Sequence, residues 1–195
     1  CDQLILDDGL NAQGLLEEAL FYNITELLEP LNLLVQKQNK KTNTLTRKEL
    51  ISILLTSSVN SSLRCQGLDF SDQDLSKLDL SHINFKMTNF TRSNLERTNL
   101  DHAQLQEANL QEANLQKASL RGANLGGANL EGANLKSANF EDRGGIKANL
   151  EGAKLKGAHL EDCNFSGANL RAANLRGCNL ENANLRRADL AGADL

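Results

Sequence analysis

Residues 65–195 are predicted to fold as a mainly β solenoid, because one five-residue pattern repeats throughout them. A large apolar residue occupies every fifth position from Phe70 to Leu195; 25 of these 26 positions hold Leu or Phe, and the exception is Gly145. Two residues earlier stands a small residue, Ala in 16 units, and the position between holds Asn or Asp in 21 units. A repeat this regular is typical of a stacked architecture.

A period of five suits neither of the ordinary secondary structures. On an α-helix, five residues turn the chain by about 500°, so successive leucines would be spread around the axis. On a straight strand, an odd spacing would place successive leucines on opposite faces. The leucines can share one interior only if the backbone bends once per unit, with the last two positions, such as Gly126 and Gly127, at the corner. Leu and Ala then face inward, and Asn faces outward or bonds to nearby backbone.

The unit, as in Ala108-Asn109-Leu110-Gln111-Glu112, resembles that of the pentapeptide-repeat family. The resemblance implies a right-handed, four-sided parallel β-helix with four pentapeptides in each coil. The periodicity alone predicts the bends and the inward leucines, whereas the number of sides comes from the resemblance.

The part of the chain before the repeats has a different pattern and is predicted to be a small α-helical segment. Residues 1–35 show apolar positions at helical spacing, residues 36–45 form a polar linker, and residues 46–64 form a short helix and a loop. An open solenoid end would expose apolar side chains and unpaired backbone groups. We therefore expect the short helix to cover the first coil through three apolar residues, Ile51, Leu54 and Leu55.

Several segments carry a second resemblance: residues 4–10, 14–22, 46–49, 63–70, 83–87, 139–142 and 147–152. They are similar to the BTB/POZ potassium-channel tetramerisation-domain family, some of which end in pentapeptide repeats. The resemblance implies that residues 1–35 are the last helices of a BTB domain whose body is absent. In that family the BTB body forms homo-oligomers and engages the cullin-3 class of ubiquitin ligase, while the repeats recruit a protein partner or ubiquitination substrate. The leading hypothesis is therefore an interaction module of a BTB-type adaptor.

Composition restricts the location and the partners of the chain. Four cysteines without regular spacing, no signal peptide and no long apolar run predict an intracellular protein, cytoplasmic or nuclear, with no membrane partner. Residues 65–195 carry 15 basic and 17 acidic groups. This balance argues against the alternative of a DNA-mimic inhibitor of a topoisomerase, which some pentapeptide-repeat proteins are, because mimicry needs a dense negative surface. A purely structural spacer is a third interpretation.

Charged side chains should form columns when residues one coil, or 20 positions, apart are aligned. The expected columns are a basic one of Lys77, Arg97 and Lys117, a neighbouring basic one of Lys136, Lys156 and Arg176, and an acidic edge of Glu141, Asp142, Glu161, Asp162 and Glu181. Like charges one coil apart repel, so the columns are a candidate docking surface for a protein. The alternative is the solvated surface of a charged repeat. Nucleic acid is a less favoured partner, because no aromatic residues accompany the basic columns.

Residues 141–147 interrupt the pattern but keep the spacing of ten between Phe140 and Leu150. They place Gly145 where a leucine belongs, so we expect this side of the coil to bulge outward. We also expect Ile146, or Phe140 together with Phe165, to fill the space left inside. The segment is either a loop that binds a partner or a tolerated defect of the repeat.

No residue pattern points to catalysis. We find no Ser/His/Asp or Cys/His constellation, phosphate-binding loop or metal-ligand cluster, and the chain is predicted to be a non-enzyme without cofactors. His82 and His102 lie 20 positions apart and could bind a metal or respond to pH, but two ligands are too few for a metal site. Cys163 and Cys178 take the small inward position and are expected to be core residues.

Overall fold

The computed structural model describes residues 65–142 and 144–195. The chain divides into two units, Cys1–Thr44 and Leu45–Leu195, and every described residue belongs to the second. The predicted helices and linker of residues 1–64, including the capping residues Ile51, Leu54 and Leu55, lie outside the described residues.

The described residues form a parallel β-helix with four pentapeptides in each coil. Single-residue parallel bridges join residues 20 apart, such as Asn89 with Asn109 and Asn109 with Asn129. These bridges, which run from Asp69 to Asp194, are the strands of the fold; within residues 65–142 and 144–195 there is no longer strand and no helix. The expected number of sides and the parallel stacking are confirmed.

The interior is filled by the large apolar residue of each unit. Leu and Phe at this position are fully buried from Phe70 to Leu170, and Cys65 takes the same place in the first unit. Near the first coil, the rings of Phe70 and Phe90 stack with their centroids 5.4 Å apart. Burial of each Leu or Phe side chain contributes about 1.5–3 kcal/mol, so this core is the principal source of stability.

Small residues at the second inward position bring the sides of the coil close to this core. Ala is buried there in most units, and Cys163 replaces it as the prediction required, with its thiol 2.9 Å from the carbonyl oxygen of Leu135. In the lower coils, which are those of lower residue number, the hydroxyl of Thr98 occupies this position and donates to the Leu75 carbonyl at 2.9 Å. Hydrogen bonding to the backbone makes such buried polar groups tolerable.

Each corner is a turn made by the two residues that follow the large apolar one. The second of them has a positive φ, for example 57° at Glu107 and 66° at Gly127. The backbone N–H of Ala108 then donates to the carbonyl of Leu105 at 3.1 Å, as in a type II turn. This conformation suits glycine and costs other residues roughly 1–2 kcal/mol, which explains the frequent glycine in the last position of the unit.

The Asn of each unit stabilises both the corner and the stack. Its Oδ1 accepts the backbone N–H two residues later, as Asn114 does from Gln116 at 3.2 Å. Its Nδ2 donates to the Asn one coil below, so that Asn134, Asn114 and Asn94 form a ladder with distances of 3.2 and 3.1 Å. The outward Asn is therefore a structural residue.

Within the interruption at residues 141–147, Glu141 and Asp142 form a regular corner, whereas residues 144–147 are not part of the coil. Bridges across it join residues 25 apart, as in Asn124 with Asn149, so this coil contains five extra residues. The described part of the loop after Asp142, residues 144–147, is exposed, and the outward bulge is confirmed.

The core is continuous across the loop. Phe165 stacks on Phe140 with ring centroids 4.7 Å apart. Leu150 continues the column of Leu125, and the backbone N–H of Leu125 donates to the backbone carbonyl of Asn149 at 2.7 Å. The expectation that Gly145 takes a leucine position is therefore wrong. The expected filling of a space by Ile146 or the two phenylalanines is also wrong, because no inward position is vacant and Ile146 is 57% exposed.

Candidate protein-interaction surface

The four corners of the coil present the side chains that a partner can reach. We number them in chain order, so that corners 1, 2, 3 and 4 follow Phe70, Leu75, Leu80 and Phe85 in the first coil. In most coils the backbone N–H of the second corner residue donates to the backbone carbonyl of the first corner residue in the coil above. The Lys77 N–H, for example, donates to the Glu96 carbonyl at 2.9 Å. These hydrogen bonds and the bridges assign the charged corner residues to their corners.

Corner 2 carries basic side chains in its lower coils. Lys77, Arg97 and Lys117 follow one another at the second position of the corner, and Lys136 comes next at the first position, where its carbonyl accepts the Lys117 N–H at 2.9 Å. All four side chains are exposed. Arg97 lies 3.4 Å from the carboxylate of Glu96 beside it. Because Glu96 offsets only one of the four positive charges, the corner residues of the lower coils keep a net positive charge.

Corner 2 becomes acidic above the loop. The backbone N–H of Ser137 donates to the backbone carbonyl of Glu161 at 2.8 Å, and that of Asp162 donates to the backbone carbonyl of Glu181 at 2.9 Å. Glu161, Asp162 and Glu181 therefore lie above Lys136 in the same column. A single corner thus presents positive charge in its lower part and negative charge in its upper part.

Electrostatic contacts accompany this change of sign. The pKa of Glu161 lies below its ordinary value, first because a hydrogen bond from its own backbone N–H stabilises the carboxylate, an effect that desolvation opposes. The charge of Lys136, and that of His159 when protonated, lower the pKa further. Nδ2 of Asn179 also donates to the carboxylate at 2.9 Å. Glu161 is therefore held ionised at the junction between the two parts of corner 2.

The expected charge columns are wrong only across the loop, because Arg176 still lies above Lys156, and Glu181 above Glu161 and Asp162. Lys156 and Arg176 lie at corner 1, where Nε of Arg176 is 2.7 Å from Asp194. Glu141 and Asp142 lie at corner 3 and share no column with Glu161, Asp162 and Glu181. The cause is the five extra residues of the loop, which move every later unit on by one corner relative to a strict 20-residue count.

Corner 3 holds an ion pair that the sequence analysis did not identify. Arg121 donates from Nε and Nη2 to Oδ2 of Asp101 at 2.9 and 2.6 Å, and the Ser119 hydroxyl donates to Oδ1. Burial raises the pKa of Asp101, but these bonds and one from the Arg121 backbone N–H outweigh it and keep the pKa below its ordinary value. Opposite charges 20 residues apart were the signal that could have revealed the pair.

A pocket of about 250 Å³ lies beside this ion pair; its lining residues are Asp101, His102, Arg121, Gly122 and Ile146. His102 stacks on His82 with ring centroids 4.9 Å apart, as their spacing predicts. On the other side, a Cβ added to Gly122 would come within 2.5 Å of the imidazole. Because Asp101 and Arg121 neutralise each other in the wall, the pocket offers a partner mainly shape and the exposed Ile146.

The described residues form neither a metal site nor a membrane-spanning helix. In residues 65–142 and 144–195, no group of three or more His, Cys, Asp or Glu side chains could hold a metal ion. The described part of the chain also contains no helix long and apolar enough to cross a membrane. Cys65, Cys163 and Cys178 are free thiols, and burial raises the pKa of Cys65 to about 11, so its thiol is unreactive at neutral pH.

The coil and its unit define the class of protein. The family described as pentapeptide repeats (8 copies) matches residues 84–127, 113–142, 146–182 and 163–195, together more than half of the chain. The chain belongs to this family, and its fold is the right-handed parallel β-helix that the resemblance implied.

Two solved structures illustrate the relationship. QnrB1, a plasmid-mediated fluoroquinolone resistance protein, aligns with a TM-score of 0.57 at 17% identity over 78% of this chain and 81% of its own, a likeness of fold alone. HetL from the cyanobacterium Nostoc, a pentapeptide-repeat protein involved in heterocyst differentiation regulation, is 32% identical over 67% of this chain and 77% of its own, with a TM-score of 0.43.

Among individual proteins, the chain is similar to the BTB/POZ domain-containing protein KCTD9. The human protein is 48% identical over 74 residues, which are 37% of this chain and 19% of the relative. The mouse protein is 39% identical over 66 residues, which are 33% of this chain and 20% of the relative. The expected relationship to a BTB/POZ protein is confirmed, and the matched segments span about a fifth of each relative's length.

Proposed function

We propose that residues 65–195 are a non-catalytic protein-interaction module, the part of a BTB-type adaptor that recruits a partner or substrate to a cullin-3 ubiquitin ligase. The similarity to the human and mouse BTB/POZ proteins supports the adaptor role. In this role, the contact with cullin-3 and the assembly into homo-oligomers belong to a BTB body outside residues 1–195, and the repeats bind the client.

The observation that carries the proposal is the charge distribution of corner 2. Its charged side chains stand at intervals of about 4.8 Å on a backbone that is hydrogen-bonded to the coils above and below. Like charges at this separation repel, and a spacer gains nothing from them. A rigid array loses little backbone freedom when a partner binds, and complementary charges orient the partner and accelerate association.

Quantitative affinity purification tests the proposal. A BTB protein that carries this chain is purified from cells with and without residues 65–195. We expect cullin-3 in both samples and at least one client only when the repeats are present. Recovery of cullin-3 without any repeat-dependent protein would identify residues 65–195 as a spacer, and absence of cullin-3 from both samples would refute the adaptor role.

A further inference from the structure

Corner 2 has the charge pattern and the spacing to dock one α-helix of a protein partner. We propose that this helix lies along corner 2, with acidic side chains over the lower coils and basic side chains over the upper coils. The inference rests on the proposed function and names the binding corner and the chemistry of the bound segment.

The spacing of the charges fits a helix. Corner 2 rises by one coil, about 4.8 Å, from each charged level to the next, and one helical turn rises by about 5.4 Å. From Lys77 to Glu181 the corner passes through five coil spacings, or about 24 Å, while 18 residues of helix cover about 27 Å. Lysine and arginine side chains are long enough to absorb this difference. An extended segment fits less well, because its same-side residues lie nearly 7 Å apart.

The order of the charges determines the direction of the bound helix. Lys77, Arg97, Lys117 and Lys136 call for acidic partners at helix positions i, i+4, i+7 and i+11. The upper levels, marked by the exposed side chains of Asp162 and Glu181, call for basic partners at i+14 and i+18. A helix with acidic residues in its first turns and basic residues in its last turns is also favoured by its own macrodipole. Such a helix would run from the lower to the upper coils.

Over its middle coils, corner 2 lies between sides that add little charge of their own. In the middle coils the outward residue before the corner is Asn94, Asn114 or Asn134, whose amides bond to one another in the ladder. The residue after the corner is Asn99, Ser119 or Asn139 in the same coils. In these coils a partner meets one line of charge between neutral polar sides, which favours a narrow element such as a single helix, whereas in the lowest coil Asp74 and Asp79 flank Lys77.

The loop at residues 141–147 is what places the two signs on one corner. If the coil counted 20 residues throughout, Glu161 would lie above Glu141, and Lys156 would lie above Lys136. The five extra residues instead bring Glu161 above Lys136. The loop thus contributes to binding by setting the order of charges, without a direct contact to the helix.

Designed peptides test the inference directly on the 195-residue chain. The matched peptide has Glu at i, i+4, i+7 and i+11 and Lys at i+14 and i+18 on an Ala-rich helix; its isomer has the same residues with the two charge types alternating. Fluorescence anisotropy at low ionic strength should show the matched peptide binding about tenfold more tightly, with the preference decreasing as salt is added. Equal affinities, or no binding of either peptide, would overturn the inference.

Charge reversal at corner 2 provides the second arm. Lys117→Glu with Lys136→Glu should weaken the matched peptide about tenfold, and a peptide with Lys at the two facing positions should recover the loss. Glu107 and Glu112 occupy the second corner position, that of Lys117, with φ of 57°, and Glu131 occupies the first, that of Lys136, so the fold tolerates both changes.

The matched control is Lys147→Glu with Lys156→Glu, which alters the net charge equally away from corner 2. Equal weakening by both double variants would show a nonspecific charge effect and overturn the inference. The same variants separate this inference from the proposed function. If clients depend on residues 65–195 but are captured equally by the corner 2 variant, the module stands and the helix-docking corner is wrong.

Discussion

Deletion of residues 143–147 should leave the β-helix intact and should not lower its stability. The deletion joins Asp142 to Ala148 and produces one regular unit between Phe140 and Leu150. Because the coils above and below already pair across the loop, no coil has to rotate. The variant therefore tests whether the extra residues lie outside the coil.

The magnitude follows from the contacts of the loop. The link between Phe140 and Ala148 shortens from seven residues to two. The entropic cost of closing this link therefore falls by about 1 kcal/mol according to (3/2)RT ln n. The deletion also removes the hydrogen bond from the Gly145 N–H to Asp142 at 2.8 Å, worth about 0.5–1.5 kcal/mol. These effects nearly cancel. We expect the free energy of unfolding to change by less than about 1 kcal/mol.

Urea denaturation followed by circular dichroism measures this difference. The control deletes residues 111–115, a regular unit of the same length, and should cost at least the burial of Leu115, about 1.5–3 kcal/mol. If Gly145 belonged to the coil, removal of residues 143–147 would turn the upper coils by one corner and break the contacts that each upper coil makes with the coil below it. A loss as large as that of the control would refute our assignment of the loop.

Four further outcomes are expected. Leu130→Ala should lower the free energy of unfolding by about 2–5 kcal/mol in urea denaturation, because Leu130 is fully buried; a loss below about 1 kcal/mol would contradict a continuous core. Asp101 has a folded-state pKa below its unfolded value near 3.9, so its carboxylate stabilises the fold above that pH and this contribution is lost as the pH falls through the folded pKa. As the pH is lowered, the melting temperature of Asp101→Asn should therefore fall less than that of the unsubstituted protein. Gly122→Ala should lower the melting temperature more than Gly152→Ala, because both have positive φ but only Gly122 lies against an imidazole. Thiol labelling near neutral pH should leave Cys163 unmodified until the protein unfolds, since burial raises its pKa to about 12.

Local interactions made most of the fold predictable. The inward positions of Leu and Ala, the corners at the last two residues of the unit and the backbone bonding of Asn all act within one unit or between identical units. The stacking of His82 on His102 and the column of Lys77, Arg97 and Lys117 follow from the 20-residue coil. The pair of Asp101 with Arg121 obeys the same spacing and could have been found by the same comparison.

The candidate surface was predictable only up to the loop. A spacing of ten between Phe140 and Leu150 fits one regular unit plus a five-residue loop as well as two units with a defect. The two solutions place Glu161 on different corners, so the order of charges along corner 2 depended on the choice between them. Sequence periodicity cannot make this choice, because both solutions preserve it.

The repeat by itself therefore determined a solenoid with a Leu core and outward Asn side chains, since each unit carries its own bend, its inward residues and its hydrogen-bonding side chain; the four sides followed from the family resemblance. Only the tertiary structure decided which residues meet across the loop. Contacts between coils, including the stacked rings of Phe140 and Phe165 and the bridge of Asn124 with Asn149, favour the alignment that leaves no inward position empty. That alignment places Lys136 below Glu161 on corner 2 and so defines the surface we propose for partner binding.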